Sequence, residues 1–264
     1  MKPAIVVTGA SSGIGRALAL AAAADAAPMV LIGHLKQDLD EVAAELARVG
    51  AEAHALAIDL TDRDAGQHIE DALSERDLFC DVLVNSAGFG VFGLAAEISR
   101  DEQLKLIDVN ARALTDLSLR FLPGMLQRGR GGILNVGSIT GYTAGPYMAS
   151  YFASKAFVRS FTAALAVEVA GTGVTVTCLA PGIVRTPFLE HGRVREARLV
   201  KFAPRGNAAE IAAAGWRGFK AGKRVVIPRL VDRLIATFCT LIPDRALLRL
   251  IAAIQRPRPQ AGGR

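Results

Sequence analysis

Short apolar runs recur along the chain, and the stretches between them have apolar residues at helical spacing. The runs are short enough for buried β-strands. An alternation of strand and helix is typical of a parallel sheet covered by helices on both faces, with right-handed crossovers. Strands are predicted at residues 4–8, 29–33, 53–58, 82–85, 133–137, 174–179 and 224–227. The pattern therefore predicts an α/β fold built on a doubly wound parallel sheet.

Length and composition indicate a single domain. The 264 residues are 51% hydrophobic, which is enough to bury one large core. No repeat, low-complexity linker or long polar tract divides the chain. We expect the α/β unit to occupy residues 1–229 and a basic helical extension, residues 230–264, to pack on the same domain.

The N-terminus and the cysteines indicate the compartment. The chain starts with a predicted strand and a glycine loop and lacks the charged-then-apolar pattern of a signal peptide, so we expect a cytoplasmic location. Cys80, Cys178 and Cys239 have neither metal-ligand spacing nor an even count. We therefore expect reduced thiols, no disulfide and no metal site.

Positive charge is concentrated in the C-terminal part. The net charge is +6, and residues 185–264 contain 17 Lys and Arg against 5 Asp and Glu. Such a balance would suit nucleic acid, an anionic membrane or an acidic partner, but arginines scattered on amphipathic helices usually form a solvated face. No DNA- or RNA-binding motif is present, so a nucleic-acid partner is not expected.

Residues 230–254 alternate apolar clusters with arginines, and Pro243 divides them into two predicted helices. Neither contains the continuous run of about 20 apolar residues that crosses a bilayer. Three arrangements remain open: a helix pair packed on the domain, an oligomer interface, or helices lying in a membrane surface. We favour packing or oligomerisation over membrane association.

The predicted first strand leads directly into a glycine loop, Thr8-Gly-Ala-Ser-Ser-Gly-Ile-Gly15, and an alanine-rich helical run follows. Glycine lets the backbone turn tightly and approach a ligand closely, and the free N–H groups at the start of the next helix suit a pyrophosphate. The alternative is a plain glycine-rich turn. The predicted cofactor-binding residues of this loop are Gly9, Ser11, Ser12, Gly13, Ile14 and Gly15.

Tyr151 and Lys155 are four residues apart, about one helical turn, so the phenol and the ammonium lie on the same helix face. A nearby cation favours the phenolate and lowers the pKa of tyrosine toward neutral pH, which would make the pair an acid–base device. Tyr142 and Tyr147 lack a lysine four residues later. Tyr151 is therefore the candidate acid.

Together these motifs resemble the classical short-chain dehydrogenases/reductases, and the resemblance extends to about Leu189. Asn85-Ser86-Ala87-Gly88 is similar to the family's Asn-Asn-Ala-Gly signature, and Pro181-Gly182 with Thr186 is similar to the loop that closes on the nicotinamide. The resemblance implies a Rossmann-type sheet of order 3-2-1-4-5-6-7. It also implies a homodimer or homotetramer built on residues 101–127 and 151–171. The family's catalytic tetrad falls on Asn110, Ser138, Tyr151 and Lys155.

The resemblance implies hydride transfer between a nicotinamide cofactor and a carbonyl or alcohol. Tyr151 would exchange a proton with the substrate oxygen, and Lys155 would lower its pKa and hold the nicotinamide ribose. Ser138 would donate to the substrate oxygen. Asn110 would bind a water that links Lys155 to solvent. Taken singly, Ser138 could be a capping hydroxyl, Asn110 a buried structural amide and Lys155 a solvent-facing charge.

The cofactor is expected to be NADP(H), with NAD as the alternative. Sheets that select NAD carry an acidic residue after the second strand, and here that strand is followed by His34, Leu35 and Lys36. His34, Lys36 and Arg16 offer donors for a 2′-phosphate. Further cofactor contacts are implied at Asp59, Leu60, Asn85, Ala87, Gly88, Pro181, Gly182 and Thr186, although Asp59 could instead cap the turn at Thr61.

The substrate is expected to be an apolar carbonyl compound or alcohol. Phe89, Phe92, Tyr142, Pro146 and residues 188–202 would surround the nicotinamide, although core packing would explain them as well. A serine hydrolase is excluded because Val136 stands where the Gly-x-Ser-x-Gly elbow around Ser138 needs glycine. A non-catalytic NADP sensor or interaction protein on the same fold remains the alternative function.

Overall fold

Seven parallel strands form one sheet in the order β3-β2-β1-β4-β5-β6-β7, as the family resemblance implied. A computed structural model describes residues 1–190, 194–198, 200 and 204–256. The strands are β1 (Lys2–Thr8), β2 (Met29–Gly33), β3 (Ala53–Ala57), β4 (Leu78–Asn85), β5 (Gly131–Val136), β6 (Val174–Leu179) and β7 (Val225–Val226). The order reverses between β1 and β4, and in such sheets ligands bind at the carboxyl ends of the strands beside that point.

Helices cover both faces of the sheet. They are α1 (Gly13–Ala22), α2 (Lys36–Arg48), α3 (Ala65–Ser74), α4 (Arg100–Ile107), α5 (Leu114–Arg128), α6 (Ala149–Glu168), α7 (Ala208–Lys220), α8 (Leu230–Leu241) and α9 (Asp244–Gln255). A π-helical segment, Asp108–Ala113, joins α4 to α5, and a 3₁₀ turn, Ile139–Tyr142, follows β5. The helical residues between Arg100 and Arg128 therefore include a π-helical segment.

Strand bounds differ from the prediction where the strands are less apolar. The start predicted for β4 at residue 82 is wrong, because Lys2, Pro3 and Ala4 pair with Leu78, Phe79 and Cys80 before a register shift at Ala4/Ile5. Asp81 interrupts the apolar residues of β4, so the apolar run begins only after it, although Leu78 and Cys80 are buried as well. Both β1 and β4 are consequently longer than their apolar runs.

The side chains of β1 alternate between two apolar cores, as the period of a strand requires. Ile5 and Val7 belong to the core that includes Leu18 of α1, Leu39 of α2 and Trp216 of α7. Ala4 and Val6 belong to the opposite core, which includes Ile69 of α3, Leu117 of α5 and Leu165 of α6. This two-sided burial confirms the predicted single-domain, doubly wound arrangement.

The C-terminal residues form two helices with Pro243 between them, as the sequence predicted. Helix α8 packs on the 3₁₀ turn Ile139–Tyr142 and buries Asp232 and Ala236. Its opposite side exposes apolar side chains, among them Leu234 at 62% and Phe238 at 54%. Among the described residues, no helix is long and apolar enough to cross a membrane.

Candidate active site

Ser138 lies where β5 ends and the 3₁₀ turn begins. Its hydroxyl accepts a hydrogen bond from the Thr140 backbone N–H at 3.1 Å and donates one to the Pro181 carbonyl at 3.3 Å. The turn packs tightly on α6, since a Cβ at Gly141 would lie 2.6 Å from the Lys155 carbonyl oxygen. Ser138 thus lies at the carboxyl end of β5, and its hydroxyl makes the capping bond that the alternative interpretation allowed.

Tyr151 lies in the first turns of α6 with its phenol buried beside the Ser138 and Thr140 hydroxyls. Burial raises the pKa of Tyr151 to about 12, although the nearby hydroxyls of Ser138 and Thr140 act in the opposite direction. The ring contacts Phe188 at a centroid distance of 5.5 Å and Phe152 at 6.1 Å. The phenol is thus protonated at neutral pH and screened from water on its apolar sides.

Lys155 lies one turn further along α6 and is also buried. Its ammonium donates to the Val136 carbonyl at 2.9 Å, and burial lowers the pKa of Lys155 to about 8. The prediction that Lys155 lowers the pKa of Tyr151 is wrong for this arrangement, because loss of hydration dominates at both groups. The Tyr151 phenol nevertheless lies near the Ser138 hydroxyl, and Lys155 follows one turn later on the same helix.

Asn110 lies in the π-helical segment, where insertions of this type often mark functional positions. Its side-chain amide exchanges two hydrogen bonds with the Phe89 backbone, both 3.0 Å, and donates to the Ser154 hydroxyl at 3.1 Å. The side chain therefore fixes the residues after Gly88 against α6. A cofactor-side role through bound water remains a prediction.

The glycine loop requires glycine for two physical reasons. Gly9 and Gly13 have φ of +64° and +56°, a region that disfavours side chains. A Cβ at Gly15 would overlap the Gly9 carbonyl oxygen. The loop is held by Thr8, whose hydroxyl accepts from the N–H groups of Ser86 and Ala87 at 3.1 and 3.2 Å.

The same loop borders a groove with several positive side chains. The groove has a volume of about 730 Å³ and includes Ser12 and Gly13 at the start of α1 together with Arg16, Arg185 and Arg205. Backbone N–H groups at a helix start, glycines that permit close approach and nearby guanidinium groups suit the phosphates of a dinucleotide. The residues present therefore fit the phosphates of a dinucleotide.

Comparison with known proteins settles the family. A short chain dehydrogenase family model matches residues 3–196. The chain belongs to the short-chain dehydrogenase family. It is accordingly an oxidoreductase that acts on carbonyl or alcohol groups.

One relative and two solved structures illustrate this similarity. Sulfoacetaldehyde reductase 2 from Chromohalobacter salexigens is 36% identical over 71% of this chain and 75% of the relative. A short-chain dehydrogenase from Sphingobium yanoikuyae, solved in complex with NADPH, is 30% identical with a TM-score of 0.79 and covers 98% of this chain and 99% of its own. The bulky-bulky ketone specific alcohol dehydrogenase from Comamonas testosteroni is 26% identical with a TM-score of 0.75, covering 100% and 97%.

In this dehydrogenase the residues of the Asn85–Gly88 signature lie in two places: Asn85 is buried in the sheet, and Ala87 and Gly88 lie beside Gly9 and Lys155. The Asn85 side chain is buried and donates to Asn135 at 2.9 Å and Ser118 at 3.1 Å, so it joins β4 to β5 and α5. A cofactor contact from Asn85 would have to use its backbone. Ala87 lies against Gly9, and a Cβ at Gly88 would lie 3.6 Å from the Lys155 ammonium.

The loop after β6 spans from the tetrad to the glycine loop. Pro181 accepts from Ser138, and the Thr186 side chain lies against Gly13, where a Cβ would approach it to 3.1 Å. Gly182 lies between them and packs on Asp232 of α8. The predicted residues Pro181, Gly182 and Thr186 thus line one continuous path.

The residues after β2 are exposed, but the two cations named for the 2′-phosphate have carboxylate partners. Lys36 pairs with Asp40 at 2.7 Å and Arg16 with Glu45 at 2.6 Å, both partners being on α2. Among the described residues, His34 has no carboxylate partner of this kind. It contributes to the lowered pKa of the Asp59 carboxyl, but less than the other groups around Asp59 do.

Asp59 has the capping role that the sequence left open. Its carboxylate accepts from the Thr61 N–H at 2.9 Å and from the Thr61 hydroxyl at 2.8 Å, and the backbone bond is the main cause of its lowered pKa. Leu60 is buried, and its carbonyl accepts from Arg112 at 2.9 Å. An adenine contact at these two residues remains a prediction.

An apolar cluster surrounds Tyr151. Its buried members are Val91, Phe92, Leu106, Met148, Phe152, Leu189, Val194, Ala197 and Val200, with Phe89, Ile98, Tyr147, Ile183 and Phe188 packed against them. Of the predicted pocket residues, Tyr142 instead lies under Arg159, 4.6 Å from the guanidinium carbon. Part of the predicted segment 188–202, including Phe202, lies outside the described residues.

Sequence reasoning missed Thr140, Arg229 and Asp232. The Thr140 hydroxyl lies near the Tyr151 phenol and lowers its pKa, and the Asp232 carboxylate accepts a hydrogen bond from Gly182. Nothing in the local sequence distinguishes these residues from ordinary polar positions, because their contacts are with residues distant along the chain. The raised pKa of Asp232, caused mainly by burial, is a property of the fold alone.

Proposed function

We propose that the protein transfers hydride between NADP(H) and an apolar carbonyl or alcohol, with Tyr151 as the proton donor and acceptor. The observation that carries the proposal is the burial of Ser138, Tyr151 and Lys155 near the carboxyl end of β5, with Tyr151 inside an apolar cluster. Buried titratable groups that converge beside a ligand loop are characteristic of active sites.

The residues support reduction at neutral pH in the following way. Tyr151, kept protonated by its raised pKa, donates its hydroxyl proton to the carbonyl oxygen as that oxygen gains charge. Ser138 donates a hydrogen bond to the same substrate oxygen. To do so, the Ser138 hydroxyl gives up its hydrogen bond to the Pro181 carbonyl. The bound nicotinamide supplies the hydride. In oxidation Tyr151 accepts the proton instead.

The proposed substrate class follows from the surroundings of the phenol. Rings of Phe152 and Phe188 contact Tyr151, and Val91, Phe92 and Val194 are buried nearby. Apolar walls bind ligands mainly through burial of apolar surface. The likeness to an alcohol dehydrogenase specific for bulky-bulky ketones supports this class, although the likeness to sulfoacetaldehyde reductase 2 makes a small anionic aldehyde a necessary member of the test panel.

The first experiment titrates the purified protein with NADPH and NADH and then follows absorbance decay with aldehydes, ketones, 3-oxoacyl compounds and sulfoacetaldehyde. We expect NADPH binding and fastest turnover with apolar ketones. Binding without turnover across the panel would favour a cofactor sensor, and faster turnover of sulfoacetaldehyde would overturn the apolar substrate class.

NADP preference rests on the absence of a carboxylate after β2, where His34 lies exposed. We expect His34→Asp to weaken NADPH binding by about tenfold or more, because the new carboxylate repels the 2′-phosphate, and to leave NADH binding within about twofold. Fluorescence titration of both cofactors measures this, with His68→Asp on α3 as the control. Equal loss of both affinities would contradict a 2′-phosphate at this position.

We also propose a homo-oligomer that uses α5 and α6. These helices expose Leu119 at 52%, Phe157 at 43% and Val167 at 58%. We expect Phe157→Glu to lower the mass measured by light scattering to that of the monomer, because a charge at an apolar interface loses its hydration. Val49→Glu, at an exposed apolar residue after α2, is the control. An unchanged mass for Phe157→Glu would place any interface elsewhere.

A further inference from the structure

The first turn of α8 contacts the loop after β6 through a buried carboxylate. Asp232 is 3% exposed, and its carboxylate accepts the Gly182 backbone N–H at 3.2 Å. A Cβ at Gly182 would overlap this carboxylate, so the approach requires glycine. A residue of the C-terminal helices thus holds the backbone between Pro181 and Thr186.

Arg229, which immediately precedes α8, contacts a second backbone stretch, Pro204 to Gly206. Its guanidinium lies 3.5 Å from the Asp232 carboxylate and donates to the Pro204 carbonyl at 2.9 Å. A Cβ at Gly206 would lie 3.2 Å from Nη1 of Arg229, the nitrogen that donates to Pro204. Arg229 and Asp232 therefore contact two backbone stretches that are distant along the chain.

Those two stretches are also joined to each other. The Gly206 N–H donates to the Ile183 carbonyl at 2.7 Å, and the Arg185 N–H donates to the Gly206 carbonyl at 3.1 Å. The outgoing stretch begins at Pro181, which accepts from Ser138, and reaches Thr186 against Gly13. The Arg229–Asp232 pair thus fixes a short parallel pairing that connects the tetrad to the glycine loop.

We propose that Arg229 and Asp232 are positioning residues, which clamp Gly182 and Pro204 so that the loop from Pro181 to Thr186 stays aligned with Ser138 and the glycine loop. This makes the start of α8 a working part of the dehydrogenase site. The inference rests on the proposed function in so far as the aligned loop serves NADPH and substrate.

Two observations distinguish a clamp from ordinary packing. The Asp232 carboxylate bonds to backbone N–H of a loop and not to another helix, and its charge is balanced by an arginine that bonds to the loop's other end. A buried carboxylate is costly unless it is paired and hydrogen-bonded. The pair therefore specifies the position of both stretches together, since moving either one leaves a buried charge without its partner.

The experiment compares Asp232→Ala with Asp232→Asn in the full-length protein. We expect Asp232→Ala to raise the KM for NADPH by about tenfold, the effect of losing one buried charge-assisted hydrogen bond, with a smaller change in kcat. Asp232→Asn should recover most of this, because an amide oxygen can still accept the Gly182 N–H. Asp25→Ala, which breaks an exposed ion pair with Lys220, is the matched control and should match the wild type.

A second readout does not depend on activity. Trypsin cleavage after Arg185 and Arg205 should be about tenfold faster in Asp232→Ala than in the control, because cleavage follows local opening of the clamped stretches. If the wild type turns over no carbonyl, the proposed function fails while the cleavage rates still test the clamp. A lower melting temperature with unchanged KM and unchanged cleavage at these two sites would overturn the clamp and leave Asp232 a packing residue.

Discussion

Tyr151→Phe is expected to lower turnover by about 10²–10⁴-fold while leaving NADPH affinity within about twofold, because positioned proton transfer contributes rate enhancement of that size. The substitution removes the buried hydroxyl and keeps the ring that packs on Phe152 and Phe188. Steady-state kinetics with the best substrate of the panel, together with cofactor titration on the same samples, measures both quantities. The two results together separate proton transfer from binding.

Tyr142→Phe is the matched control for that substitution. Tyr142 lies in the 3₁₀ turn after Ser138, and burial raises the pKa of its phenol as well, but its ring lies under Arg159. Turnover of this variant should stay close to that of the wild type. Equal activity of the Tyr151→Phe variant and the wild type would show that another group, or a solvent proton, completes the reaction.

The sheet could be predicted from the sequence because each buried strand is a short apolar run, and a parallel strand buried on both faces has no polar interruption. The start of β4 was missed because Asp81 separates Leu78, Phe79 and Cys80 from the apolar residues that follow, although all of them pair with β1. Backbone pairing leaves no mark on side-chain chemistry. The limits of β7, Val225–Val226, follow from its pairing with Cys178 and Leu179, which the longer apolar run does not reveal.

The site was predictable where its residues are close in sequence. The glycine loop lies within eight residues, and Tyr151 and Lys155 are one helical turn apart. The Asp232–Gly182 contact joins residues 50 positions apart, so no local pattern could reveal it. The pKa values of Tyr151 and Lys155 were also not predictable, because they depend on how completely the fold removes water from each group.

Lys155→Met is expected to stabilise the protein while it lowers turnover by about 10²-fold or more, because it removes a buried cation that has a proposed role in the reaction. Burial lowers the pKa of Lys155 from 10.5 to about 8. Below pH 8 the lysine is charged in both the native and the unfolded state, and the buried charge costs the native state about 3 kcal/mol at 1.4 kcal/mol for each pKa unit.

Methionine removes that cost but leaves the Val136 carbonyl without its 2.9 Å donor, which costs about 1–3 kcal/mol. We therefore expect a net gain of about 1 kcal/mol in the free energy of unfolding at pH 7. Chemical denaturation of both proteins measures the gain. Lys220→Met, at an exposed residue of α7, should change stability by less than about 0.5 kcal/mol.

The pH dependence gives the sharper test of the same prediction. As pH rises from 8 toward 10.5, the native lysine loses its proton while the unfolded lysine keeps it, so the unfolded state binds more protons and the wild type gains stability with pH. The advantage of Lys155→Met should therefore shrink as pH rises above 8, disappear at about pH 9 and reverse toward pH 10.5, where the variant still lacks the donor to Val136. An advantage that stays constant with pH would show that Lys155 is not a desolvated cation in the native protein.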